Sequence, residues 1–177
     1  MRITVITPAP TPLEASVSQL IDGLRRAGHE VEEAPSLIDA ERSQAYLLVG
    51  IDRAPLAAEL TATREKAADR LRRVILVGVR LDFHRGIPVA DPGSFIELLE
   101  DFQLAGAFDA EALSSWQEVP SPFAGPKTLM SRLNSNALKV FQSRTYANWF
   151  AGPGNSFEEF LVRYVSVLDH SLSEGEG

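Results

Sequence analysis

A chain of 177 residues with 45% hydrophobic and 23% charged residues has the size and composition of one globular domain plus a small appendage, and is too short for two full α/β domains. Its formal net charge of −7 weighs against a nucleic-acid binder that works by neutralising phosphates, and the absence of cysteine excludes disulfides, thiolate metal sites and cysteine nucleophiles. No signal-peptide pattern opens the chain and no run approaches the ~20 apolar residues that span a bilayer, so a soluble, cytoplasmic protein with no membrane partner is expected.

The run Arg2-Ile3-Thr4-Val5-Ile6-Thr7 predicts a first strand, followed by a proline-rich turn and a helix over Pro12 to Ala27 that stops at Gly28. Thr11 is the expected cap of this helix, Pro12 suits its first position, and Glu14 completes a capping box. Leu13, Val17, Leu20, Ile21 and Leu24 form one apolar stripe suited to lying on a sheet.

A short second strand is expected at His29 to Glu33, then a brief polar connection from Pro35 to Ser43. Ala45 to Ile51 and Arg73 to Val79 are near-continuous apolar runs, the mark of strands buried on both faces of a parallel sheet. Between them Pro55 to Arg72 reads as a helix, with Leu56, Leu60, Ala67 and Leu71 inward. Strands and helices alternating in this way define an α/β class with an open, mainly parallel, doubly wound sheet.

Beyond Asp82 the pattern loosens into a loop at Phe83 to Pro88 and a turn at Asp91 to Gly93. A helix with a capping box is expected from Ser94 to Phe102, another helical piece from Asp109 to Trp116, and no regular element in the proline-rich stretch Val119 to Pro126. The α/β domain is therefore bounded at residues 1–126. Amphipathic spacing in Thr128 to Gln142 and Ser156 to Leu172 makes residues 127–172 a helical extension, with 173–177 as a tail. Arg64 to Arg85 holds seven Lys or Arg, whereas Gly86 to Pro126 holds none and seven acidic residues, a division that solvated faces explain best.

Ligands of such sheets gather at the carboxyl ends of the strands, which directs attention to Thr7 to Thr11, to Asp52, and to Asp82, His84 and Arg85. The first of these loops precedes a helix, where free N–H groups and the dipole favour a phosphate, and Thr7, Thr11 and Ser16 offer hydroxyls. Three prolines and no glycine over Thr7 to Pro12 argue against a close backbone cradle, and neither the dinucleotide fingerprint nor a P-loop is present. Asp52, Asp82 and His84 are suitable metal ligands by type, but pairing with Arg53 and Arg85 is the plainer reading, and no metal is assigned. Glu59, near the start of the second helix, is the candidate for a catalytic carboxylate, against the ordinary role of a solvated helix residue. The aromatics Phe141, Tyr146, Trp149, Phe150 and Phe157 are read as closing a small core.

The first strand ending in Thr7, then Thr11 and Ala15, and the run Gly23-Leu24-Arg25-Arg26-Ala27-Gly28-His29-Glu30-Val31 resemble the flavodoxin-like superfamily. That resemblance implies a mononucleotide or flavin site at the first loop. The succession from Val49 to Val79 around Glu59 is similar to TIR domains, which implies either NAD cleavage at that glutamate or assembly of signalling complexes. The leading expectation is a Rossmann-like binding or interaction module for a nucleotide or other phosphate-bearing molecule, at Thr7, Thr11, Ser16, Asp52, Asp82, His84 and Arg85. The alternatives are a TIR-like NAD-processing enzyme using Glu59, and a subunit that meets a protein partner, or itself, through the C-terminal amphipathic helix.

Overall fold

The structure, a computed structural model, describes residues 1–79, 83–84, 87–88, 95–109 and 157–175. In chain order these form β1 (Arg2–Ile6), α1 (Glu14–Arg26), β2 (Glu30–Ala34), β3 (Ala45–Val49), α2 (Arg53–Lys66), a 3₁₀ helix (Ala68–Arg73), β4 (Val74–Val79), the two-residue strands β5 (Phe83–His84) and β6 (Ile87–Pro88), α3 (Phe95–Asp101), β7 (Gly106–Asp109) and α4 (Phe157–Gly175). Five strands make one sheet in the order β2-β1-β3-β4-β7, every neighbouring pair parallel, while β5 and β6 form a separate antiparallel ladder. This is an α/β fold with an open doubly wound sheet: the chain leaves β1 to one side for β2, then returns past it to β3 and continues in the opposite direction.

Alternation along the strands explains the two cores. Ile3, Val5, Leu47, Val49, Ile75 and Val77 point to one face, where the α1 stripe Val17, Leu20, Ile21 and Leu24 meets Leu161 and Val165 of α4. Ile6, Tyr46, Leu48, Val74 and Leu76 point to the other, under Leu56 and Leu60 of α2, Leu71 of the 3₁₀ helix and Leu98 and Leu99 of α3. Both faces are covered, which is why β3 and β4 are buried at every residue and read as continuous apolar runs.

The C-terminal helix is held to the sheet by more than its apolar side. The Tyr164 hydroxyl donates to the Ala105 carbonyl at 2.7 Å, and Arg73 meets Asp169 at 2.6 Å. Near its start, α4 crosses α1 where Gly23 has no side chain, with Glu158 Oε1 only 2.5 Å from the place a Cβ would occupy. Leu161 and Val165 of this helix are thus buried against the sheet, with Val162, Tyr164 and Leu168 packed beside them. No helix among the described residues is long and apolar enough to cross a membrane.

Several local expectations are corrected. Helix α1 begins at Glu14, two residues later than expected, with Leu13 in the cap position and no side-chain cap. The Thr11 hydroxyl instead accepts from the Leu13 N–H at 3.3 Å and the Thr11 carbonyl from the Glu14 N–H, so a threonine-centred turn takes the bonds a capping box would have made. The stop at Gly28 stands: it adopts φ +89°, and the N–H groups of Gly28 and His29 close back onto Arg25 and Leu24 in a Schellman motif. The second helix starts at Arg53 and breaks at Ala67 into the 3₁₀ turns that bring Arg70 under the sheet connection. Strand β7 occupies Gly106–Asp109, where no strand was expected. The expected helices at 109–116 and 128–142, the proline-rich stretch and the aromatics from Phe141 to Phe150 lie outside the described residues, apart from Asp109 in β7.

The connection between β2 and β3 runs over ten residues, 35–44, without the helix a parallel crossover ordinarily carries. One helical turn at 37–39 stands in for it, and it is clamped at both ends. At its start Glu59 Oε1 accepts from the Leu37 N–H at 2.5 Å; at its end the Arg70 guanidinium donates to the carbonyls of Leu37, Ile38 and Ala40, at 3.2 Å and 2.7 Å for the last two. A carboxylate at the amino end and a guanidinium at the carboxyl end complement the dipole of a turn too short to hold itself. Below it, buried Thr4 and Ser43 share a hydroxyl bond of 2.6 Å, and Tyr46 donates to the Glu41 carbonyl at 3.3 Å.

Candidate functional site

The loop after β1 and the first turns of α1 enclose a groove of about 740 Å³, within the range that holds a small ligand. Its floor is apolar, from Val5 of β1, Val17 and Ile21 of α1 and Ala34 of β2. Its wall is the loop Thr7-Pro8-Ala9-Pro10-Thr11, and its rim carries Glu14, Ser18 and Glu33. The groove therefore lies at the carboxyl end of β1, where a doubly wound sheet places its ligands, but on the side of β2.

Leu13, just ahead of α1, reaches back onto the sheet at Gly78. Gly78 sits in the β4–β7 irregularity with φ +85°, and a Cβ there would collide with Leu13 Cδ1. Leu13 is thus laid against Gly78 of β4 and packs on the α1-side core.

Of the expected site residues, Thr7 and Thr11 line the groove. Ser16 is half-buried but does not line it; Ser18, one half-turn on, does. Asp52 is exposed in the cap position of α2 with no side-chain cap bond, and does not line the groove. The neighbouring Arg53 pairs with Glu97 of α3 at 3.2 Å. Glu59 is six residues beyond the start of α2, somewhat deeper than the one turn inside its amino end that was expected, and its carboxylate holds the Leu37 amide away from the groove. Asp82 and Arg85 lie outside the described residues, and His84 is described only as backbone in β5. Among the described residues no group of three or more His, Asp or Glu is arranged to hold a metal.

Glu14, Ser18 and Glu33 escaped the sequence reading because it searched strand ends. The recoverable signal was the helical spacing from Glu14 to Ser18, which puts both on one exposed side of α1 above Val17 and Ile21. Glu14 also occupies the first turn of α1, where a carboxylate answers the helix dipole, and Glu33 lies 3.2 Å from Arg25. Compared with protein families, curated proteins and solved structures, the chain matches no family model, no curated protein and no solved structure.

Proposed function

We propose that this chain is a small-ligand-binding module of the flavodoxin-like type, with its ligand seated in the groove between the Thr7 to Thr11 loop, α1 and β2. The observation that carries the reading is position: a ligand-sized, partly apolar groove opens at the carboxyl end of the first strand of a sheet ordered β2-β1-β3-β4-β7. The hydroxyls of Thr7, Thr11 and Ser18 supply the few directed contacts that fix a ligand's orientation.

A thermal-shift panel with FMN, NAD, nucleoside monophosphates, nucleotide sugars, amines and divalent metals tests it. A ligand at a hundredfold excess over its dissociation constant stabilises the fold by about 2.7 kcal/mol, and for a chain of this size that raises Tm by about 5–10 °C. The Ser18→Trp variant places an indole in the groove from an exposed helix position and abolishes the rise without lowering the unliganded Tm. No rise with any class, or a rise unchanged in Ser18→Trp, contradicts the proposal.

The TIR-like reading draws no support from the geometry, because the carboxylate it needs is engaged with a backbone amide of the β2–β3 connection. The subunit reading through the C-terminal helix is not favoured by Leu161 and Val165, which are buried on the sheet.

A further inference from the structure

We infer that the groove is built for an organic cation, an ammonium or guanidinium carried on an apolar body, and this inference rests on the binding site proposed above. The loop is rich in acceptors and poor in donors. Pro8 and Pro10 have no N–H, so the stretch that would cradle a phosphate presents carbonyls instead. The Thr11 carbonyl and hydroxyl are already turned to the Glu14 and Leu13 N–H groups, which engages two of the donors a helix amino end would otherwise offer an anion.

Charge runs the same way. Among the described residues, the ionisable ones lining the groove are Glu14 and Glu33, both exposed at the rim, and no Lys, Arg or His lines it. A phosphate entering would meet two carboxylates, with the Arg25 guanidinium outside the lining and paired to Glu33, whereas an ammonium would meet two acceptors of opposite charge with its apolar body on Val17 and Ile21. Glu33 reaches Arg25 at 3.2 Å on an exposed surface, where such a pair contributes little and yields readily to a cation bound in the groove.

The test is a matched series on the full chain by isothermal titration calorimetry: tryptamine, tryptophol and indole-3-propionate share one apolar body and differ in carrying an ammonium, a hydroxyl or a carboxylate, with AMP as the phosphate probe. Tryptamine binds at least tenfold tighter than tryptophol, indole-3-propionate and AMP bind more weakly still, and all binding is lost in Ser18→Trp. Glu14→Gln and Glu33→Gln each reduce the preference for tryptamine over tryptophol severalfold and leave the unliganded Tm within a few degrees. Equal binding of the three indoles, or tighter binding of AMP abolished by Ser18→Trp, overturns the cation inference while leaving the groove as the site. No Ser18-dependent binding of any probe, here or in the wider panel, overturns both.

Discussion

Removing the Glu59 carboxylate loosens the β2–β3 connection rather than a catalytic centre. In Glu59→Ala the Leu37 N–H, on a residue with no exposed surface, loses an acceptor held at 2.5 Å. A hydrogen bond to a charged group contributes about 1.5–3 kcal/mol net, so that is the expected loss of stability. Glu59→Gln keeps an acceptor oxygen at the same reach and is expected to cost about half as much, because neutral bonds are roughly half as strong. Arg70→Ala strips donors from three carbonyls and a guanidinium from the Tyr46 ring 5.7 Å away, for an expected loss of about 2–4 kcal/mol. Both residues hold the same helical turn, so the double variant loses less than the sum, by about 1 kcal/mol. Urea unfolding followed by circular dichroism, with an unchanged m-value, measures all four quantities. A Glu59→Ala variant within about 0.5 kcal/mol of the parent, the usual range for an uninvolved surface position, would refute the clamp. A catalytic Glu59 would show the opposite pattern: nicotinamide released from NAD by the parent, lost in Glu59→Gln, with stability little changed.

Three further outcomes follow from the packing. Gly28→Ala meets no atom within 4 Å but must hold φ +89°, so it loses about 1 kcal/mol of stability from backbone strain alone, read as a Tm drop of a few degrees. Gly78→Ala loses more, because its Cβ meets Leu13 as well as a strained φ of +85°, and adding Leu13→Ala recovers part of that loss; strict additivity in the double-mutant cycle would disprove the contact. Leu161→Ala, at a site with no exposed surface, loses about 2–4 kcal/mol, and Tyr164→Phe about 1 kcal/mol, with amide exchange across 157–175 accelerating in both; unchanged exchange would mean that α4 does not rest on the sheet as described.

What was legible in the sequence is what local periodicity dictates. Strands β3 and β4 announce themselves because burial on both faces leaves no polar position, and the α1 stripe with its Gly28 stop is a local pattern read out by local forces. Strand β7 was hidden because Gly106-Ala107-Phe108-Asp109 is short and weakly β-branched, and becomes a strand by pairing with β4. The break at Ala67 was invisible for a similar reason, since the inward spacing of Leu60, Ala67 and Leu71 suits one continuous helix, and only the need to set Arg70 on the connection tells otherwise.

Part of the groove's lining was legible in the sequence. Sheet geometry alone pointed to Thr7 and Thr11, and both line the groove. Glu14, Ser18 and Glu33 line the same groove because α1 and β2 supply its other walls, a juxtaposition that no local pattern encodes. Glu59 was read as a candidate catalytic carboxylate or an ordinary solvated helix residue; in the structure its carboxylate accepts from the Leu37 amide, 22 residues earlier.

The most direct test of the account is a ¹H–¹⁵N correlation spectrum of the full chain titrated with whichever panel member raises Tm most. The groove predicts that the perturbed amides cluster at Thr7, Ala9, Thr11, Glu14, Ser18 and Glu33, with Asp52 and Glu59 unmoved. Perturbations centred on Asp52 or Glu59 instead, with the Thr7 to Thr11 loop silent, would contradict it.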